Sequence, residues 1–111
     1  MSTEGDFTVC YVTAPNHEVA TTLAKTVLES KTAACVNIIP HVESMYWWDG
    51  QVQTDKELLL MIKTRSALVS QLTSLVIESH PYDVCEVIAV PITAGNEGYL
   101  NWIRESTKEA V

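Results

Sequence analysis

Apolar and polar positions change their spacing several times along the chain, and each change marks an element. Phe7 to Thr13 (FTVCYVT) is β-branched, aromatic and nearly continuous in apolar character, which predicts a buried strand. Ala14 and Pro15 interrupt it. Asn16 is suited to cap a helix, with Glu18 favourable in its first turn. Val19, Ala20, Leu23, Ala24, Val27 and Leu28 then recur at helical spacing as one apolar stripe. From about Ala34 to Trp48 the pattern is extended again. Asp49-Gly50 forms a strong hairpin signal, because a type I′ turn needs positive φ at both central residues. With these two as the loop, Trp48 faces Gln51, Tyr46 faces Gln53 and Val42 faces Glu57 along a return strand from Gln51 to Thr64. Pro40 cannot donate to a ladder, so an edge, bulge or bend is expected there. Both arms exceed the usual strand length of roughly 5 to 6 residues, and the hairpin should project beyond its own sheet.

Ser66 to Ser79 returns to helical spacing through Leu68, Leu72, Leu75 and Val76, with Thr64 or Ser66 as the expected cap. His80-Pro81 stops it, since a residue before proline is driven out of the helical region. Val84 to Ile92 reads as a strand, apolar on both faces from Val87 to Val90 as in a central position. Gly95 and Asn96 lead into a terminal helix with Tyr99, Leu100, Trp102 and Ile103. The order β-α-β-β-α-β plus a helix predicts one α+β domain over residues 1–111 in the ferredoxin-like, split βαβ arrangement. Two helices on one face of an antiparallel sheet leave the other face uncovered, and another copy of the chain is the simplest cover.

The charge narrows the functional classes. Fourteen acidic against 7 basic residues give a net charge of −7. Such a surface repels phosphate backbones, so no nucleic-acid partner is expected. No apolar run approaches the roughly 18 to 20 residues of a membrane span, and Met1 to Phe7 lacks the features of a signal peptide. Three widely spaced cysteines, Cys10, Cys35 and Cys85, point to a reducing compartment rather than a disulfide framework. Cytoplasmic location is expected, or organellar where a targeting segment has been removed.

The stretch Ser79 to Glu86 (SHPYDVCE) gathers an imidazole, a thiol and a carboxylate. Strand alternation would place Cys85 and Glu86 on opposite faces, so they do not share one ion. Cys10 and Cys35 fall in apolar patterns, where packing is the default for a free thiol. His80 reads either as a ligand or as a helix-ending histidine bonded to a C-terminal carbonyl. Glu86, entering an apolar strand, requires a partner such as Lys63, Tyr82 or a backbone donor. Tyr46, Trp47 and Trp48 beside the turn suit interface anchors, because acidic rather than basic residues surround them. No phosphate loop, HExxH or GxSxG occurs, and no catalysis is expected.

TAPN (Thr13 to Asn16), AACVN (Ala33 to Asn37), YWWDG (Tyr46 to Gly50), IKT (Ile62 to Thr64), HPYD (His80 to Asp83) with Glu86, and YLNW (Tyr99 to Trp102) occur in this order. By them the chain resembles the CutA divalent-cation tolerance proteins from about Val9 to Ser106. The resemblance implies a ferredoxin-like homotrimer similar to the PII signalling proteins, and a role in divalent metal tolerance, with copper bound by bacterial members. Copper or another divalent cation is thus an implied cofactor that the fold does not require. Animal relatives are linked to acetylcholinesterase anchoring, which implies a scaffolding alternative with an unknown protein partner. Of the copper positions in the bacterial pattern only His80 matches. Val12 and Ser79 stand where a thiol and a second histidine are usual, and Cys10, on the same strand face as Val12, is a weaker substitute. Tyr46, Trp48, Glu57, Lys63, Tyr82 and Glu86 are expected to line the intersubunit clefts.

Overall fold

The computed structural model describes residues 5–110. The elements are β1 (Phe7–Ala14), α1 (His17–Glu29), β2 (Cys35–Trp48), β3 (Gln51–Arg65), a 3-10 turn (Ser66–Leu68), α2 (Val69–Ser79), β4 (Val87–Pro91) and α3 (Glu97–Glu105). The sheet order is β2-β3-β1-β4, and each neighbouring pair is antiparallel, the ferredoxin-like arrangement predicted from element order.

Strand alternation divides the sheet into two unlike faces. Cys10, Val12 and Ala14 of β1 with Leu60 and Ile62 of β3 pack against Ala20, Leu23, Ala24 and Val27 of α1 and Leu72 and Val76 of α2. On the opposite face Phe7 joins Leu100 and Ile103, so α3 covers only the end near the start of β1. The rest of that face carries Val9, Tyr11, Leu59 and Met61, all half-buried, and the more open Ile88 and Val90. Asn16 caps α1 by accepting the Val19 amide at 2.9 Å, and Asn96 caps α3 through the Gly98 amide at 3.0 Å.

The hairpin follows the predicted register: Trp48 pairs with Gln51, Tyr46 with Gln53 and Val42 with Glu57. Asp49 and Gly50 have φ of 53° and 72°, the left-handed pair that closes a type I′ turn. The ladder is interrupted between Ile39 and Val42, where Pro40 withholds a donor and His41 takes a positive φ. β1 ends opposite Leu58, so everything beyond Glu57 projects as a two-stranded arm, and the chain measures 48 × 25 × 23 Å.

Three expectations are corrected. Neither Thr64 nor Ser66 caps the second helix: Thr64 donates its hydroxyl to the Thr32 carbonyl, while the Ser66 hydroxyl lies 2.6 Å from that of Thr8. A 3-10 turn opens this helix instead, without a side-chain cap. The last strand begins at Val87 rather than Val84, because the His80 ring occupies the Thr13 carbonyl at the point where pairing would continue. That strand is also an edge and not a central strand of the single chain, with Ile88 53% and Val90 45% exposed.

Candidate functional site

Where the β2–β3 arm leaves the sheet, the segment between α2 and β4 folds back towards it. The space between them is a cleft of about 620 Å³. Tyr46, Trp48, Glu57, Tyr82 and Glu86 all line it. Asp55, Asp83 and Met45 line it too, none of them a site residue expected from the sequence. The signal for Asp55 was present in the hairpin register, since it lies diagonally from Tyr46 on one face and long side chains meet across that diagonal. Asp83 follows a proline in an irregular segment, where no periodicity assigns a direction.

Two tyrosine–carboxylate pairs stand in the cleft. The Tyr46 hydroxyl donates to Asp55, and that hydrogen bond raises the Tyr46 pKa above the ordinary tyrosine value. The Tyr82 hydroxyl donates to Glu57 Oε2 at 3.1 Å. Burial, followed by the charge and hydrogen bond of Glu57, pushes Tyr82 up to about 12. Glu57 is itself buried, with 7% of its surface exposed.

His80 forms one edge of this region. Its Nε2 donates to the Thr13 carbonyl at 2.8 Å, and its Nδ1 accepts the Tyr82 amide at 3.2 Å. A carbonyl only accepts and an amide only donates, which fixes the neutral Nε2–H tautomer. The bonded carbonyl belongs to β1, not to the end of α2 as the helix-ending reading had it. Both ring nitrogens are engaged in this arrangement, and Tyr82 packs on the ring with centroids 4.7 Å apart.

Lys63 is not brought into the cleft. It lies six residues further along β3, bonds Asn37, and its Nζ is 4.0 Å from Cys35 Sγ, so the expected ion pair with Glu86 is not made. Glu86 is exposed on the cleft rim instead of entering an apolar strand. Cys10 lies within the core beneath the helices, and burial pushes its thiol up to about 11. Cys35 departs from the core-packing expectation: it faces the other side of the sheet, half-buried, near Lys63 and Tyr99. Cys85 packs at the edge of the main core. Among the described residues no three His, Cys, Asp or Glu side chains gather closely enough to hold a metal.

Residues 8–106 match the family described as CutA1 divalent ion tolerance protein. The chain is 55% identical over 102 residues to "Protein CutA 1, chloroplastic" of Oryza sativa, an alignment covering 92% of this chain and 58% of that protein. It is 48% identical over 99 residues to "Divalent-cation tolerance protein CutA" of Thermus thermophilus, covering 89% and 96%. The crystal structure of CutA1 from Oryza sativa superposes with a TM-score of 0.92 at 54% identity, covering 97% of this chain and 99% of that one. The chain therefore spans little more than half of the rice relative's length and nearly all of the bacterial one's. A family match over almost the whole chain, carried by the same sheet order and hairpin that its own pattern predicts, means that this chain belongs to the CutA1 divalent ion tolerance family.

Proposed function

We propose that the protein is a homotrimeric, non-catalytic binding or signalling module in divalent-cation tolerance, similar in assembly to the PII proteins. The observation that carries this reading is the open sheet face opposite α1 and α2. Its apolar residues run from the half-buried Tyr11 and Met61 to the half-exposed Ile88 and Val90, next to a projecting arm with Trp47 75% exposed. An apolar surface of this kind is the signature of an interface. Neighbouring copies would bring Tyr46, Trp48, Glu57, Tyr82 and Glu86 into intersubunit clefts, with Lys63 on the same open face. Copper or another divalent cation would draw donors from more than one copy. Glu86 is the exposed carboxylate at the rim, His80 is the imidazole candidate once released from a present partner, and Cys10 is the weaker one. The compartment is cytoplasmic, or organellar as in the two plant relatives whose names read chloroplastic. No helix among the described residues is long and apolar enough to cross a membrane.

Native mass spectrometry at micromolar concentration is expected to give a trimer, and a stable monomer overturns the assembly. Copper titration of His80→Ala against the parent tests the ligand: weakened binding supports it, and unchanged binding makes His80 structural. A second reading is a scaffolding trimer for a protein partner, with metal binding incidental. It is favoured by the engagement of both His80 nitrogens. It predicts that chelators leave the melting temperature unchanged.

A further inference from the structure

On the sheet face opposite α1 and α2, a thiol and an amine are set against each other. Cys35 of β2 and Lys63 of β3 are direct partners in the ladder, so strand alternation turns both side chains to that face. Lys63 Nζ comes within 4.0 Å of Cys35 Sγ while it also bonds Asn37 on the same strand as the thiol. Tyr99 of α3 approaches that thiol too: after burial, the charge and hydrogen bond of Cys35 raise the tyrosine pKa. This is the end of the sheet near α3, where Ala34 packs against the Phe7, Leu100 and Ile103 cluster. Cys35 is half-buried, which leaves it open to a reagent about the size of water. Cys10 is fully buried among the helices on the other face, and Cys85 packs at the edge of that same core. Cys35 therefore has no second thiol on its side of the sheet. Once oxidised, it cannot be resolved as a disulfide within the chain, and the amine that faces it is Lys63. A sulfenic acid condenses with nitrogen as well as with thiols.

We propose that Cys35 and Lys63 form a peroxide-responsive covalent strap between β2 and β3, a sulfenamide. The Cys35 sulfur attacks one oxygen of hydrogen peroxide. An S–O bond forms and the O–O bond breaks, so sulfur is oxidised to the sulfenic acid and peroxide is reduced to water. Lys63, having given a proton to solvent, then attacks that sulfur with its nitrogen lone pair. An S–N bond forms, the S–O bond breaks, and the departing hydroxide takes the surplus proton from nitrogen and leaves as a second water. The flexible lysine stem closes the gap once it leaves Asn37. The strap closes a loop of chain that holds the whole projecting arm, and it removes the Lys63 charge from the open face. It forms within one chain, so it stands apart from the assembly and the metal reading proposed above.

The test is a peptide map of the native protein treated with hydrogen peroxide, then alkylated and digested without reductant. The expected product joins the Cys35 and Lys63 peptides at about 2 Da below their summed mass, the two hydrogens lost on bridging. Dithiothreitol should separate them again. Lys63→Arg keeps a cation but removes the amine nucleophile. It should give no joined peptide, and labelling of Cys35 by dimedone, which reports sulfenic acid, should rise severalfold over the parent. Cys85→Ala should bridge as the parent does. Should Lys63→Arg fail to fold, the parent's map still decides, because the joined peptide identifies both residues. A Cys35 that stays reduced, one that passes to sulfinic acid unbridged, or one found in a disulfide instead overturns the proposal. So does equal dimedone labelling in the parent and in a folded Lys63→Arg.

Discussion

His80 shows how much one side chain can hold. It ends α2, accepts the Tyr82 amide and donates to a carbonyl 67 residues away in β1, while only 8% exposed. His80→Ala removes both bonds and strands the Thr13 carbonyl, so a loss of about 2–4 kcal/mol is expected in urea unfolding. A loss within about 0.5 kcal/mol, the range of surface substitutions, would refute that role. The helix stop was legible because proline acts on its immediate neighbour. The bond to Thr13 was not, because no local pattern encodes which distant carbonyl a ring will meet. Tyr82 and Glu57 give a second residue-scale outcome. The folded tyrosine titrates near 12 and its unfolded counterpart near about 10. The folded state therefore holds the proton longer: this contribution is complete below pH of about 10 and is lost as pH rises through the folded value. Alkaline difference spectroscopy should show Tyr82 titrating late, beside the raised Tyr46 and Tyr99, and Glu57→Gln should bring the Tyr82 step, identified by its loss in Tyr82→Phe, earlier. An unmoved titration would mean that burial alone sets it.

Among the elements, the hairpin was the most legible, since turn chemistry and alternation over-determine its register. Its turn offers a clean comparison of two glycines. Gly50 has φ of 72° with nothing within 4 Å of an added Cβ, so a substitution there meets conformational strain but no clash. Gly50→Ala is expected to cost about 1 kcal/mol, Gly50→Asn much less. At Gly95, which lacks a positive φ, a Cβ would make ordinary contact with Leu100 at 3.5 Å, and Gly95→Ala should be tolerated. Shifts in the urea midpoint at constant slope would measure both. Equal costs at the two positions would contradict the strain argument. The last strand was read less well. Val84 to Ile92 looks uniformly extended, but strand length depends on which carbonyls remain free at the neighbouring edge, and His80 had taken one. Its apolar character on both faces also suggested a central strand, whereas within one chain one side of it is open.

At the scale of the whole molecule, that contradiction carries information. Ile88 and Val90 are about half-exposed in a single chain, although their strand has the composition of a buried one. Burial of the open face by other copies reconciles the two, and substitution there separates folding from assembly. Ile88→Glu places a charge at a site that solvent already reaches, so one chain should keep its fold and far-UV circular dichroism. In an interface the same carboxylate would be buried without a partner, a cost of several kcal/mol per copy. The variant should therefore run as a folded monomer in native mass spectrometry and size exclusion while the parent runs as a trimer. A trimeric Ile88→Glu variant would exclude this face from the interface, and an unfolded one would place Ile88 in the chain's own core. Charge supplies an internal control on the same samples. Each chain carries −7, so copies repel one another as they meet, and that repulsion is screened over about 10 Å at 0.1 M salt. An assembly driven by apolar burial should hold more firmly as salt rises from about 0.01 to 0.5 M, whereas one held by ion pairs between copies should loosen.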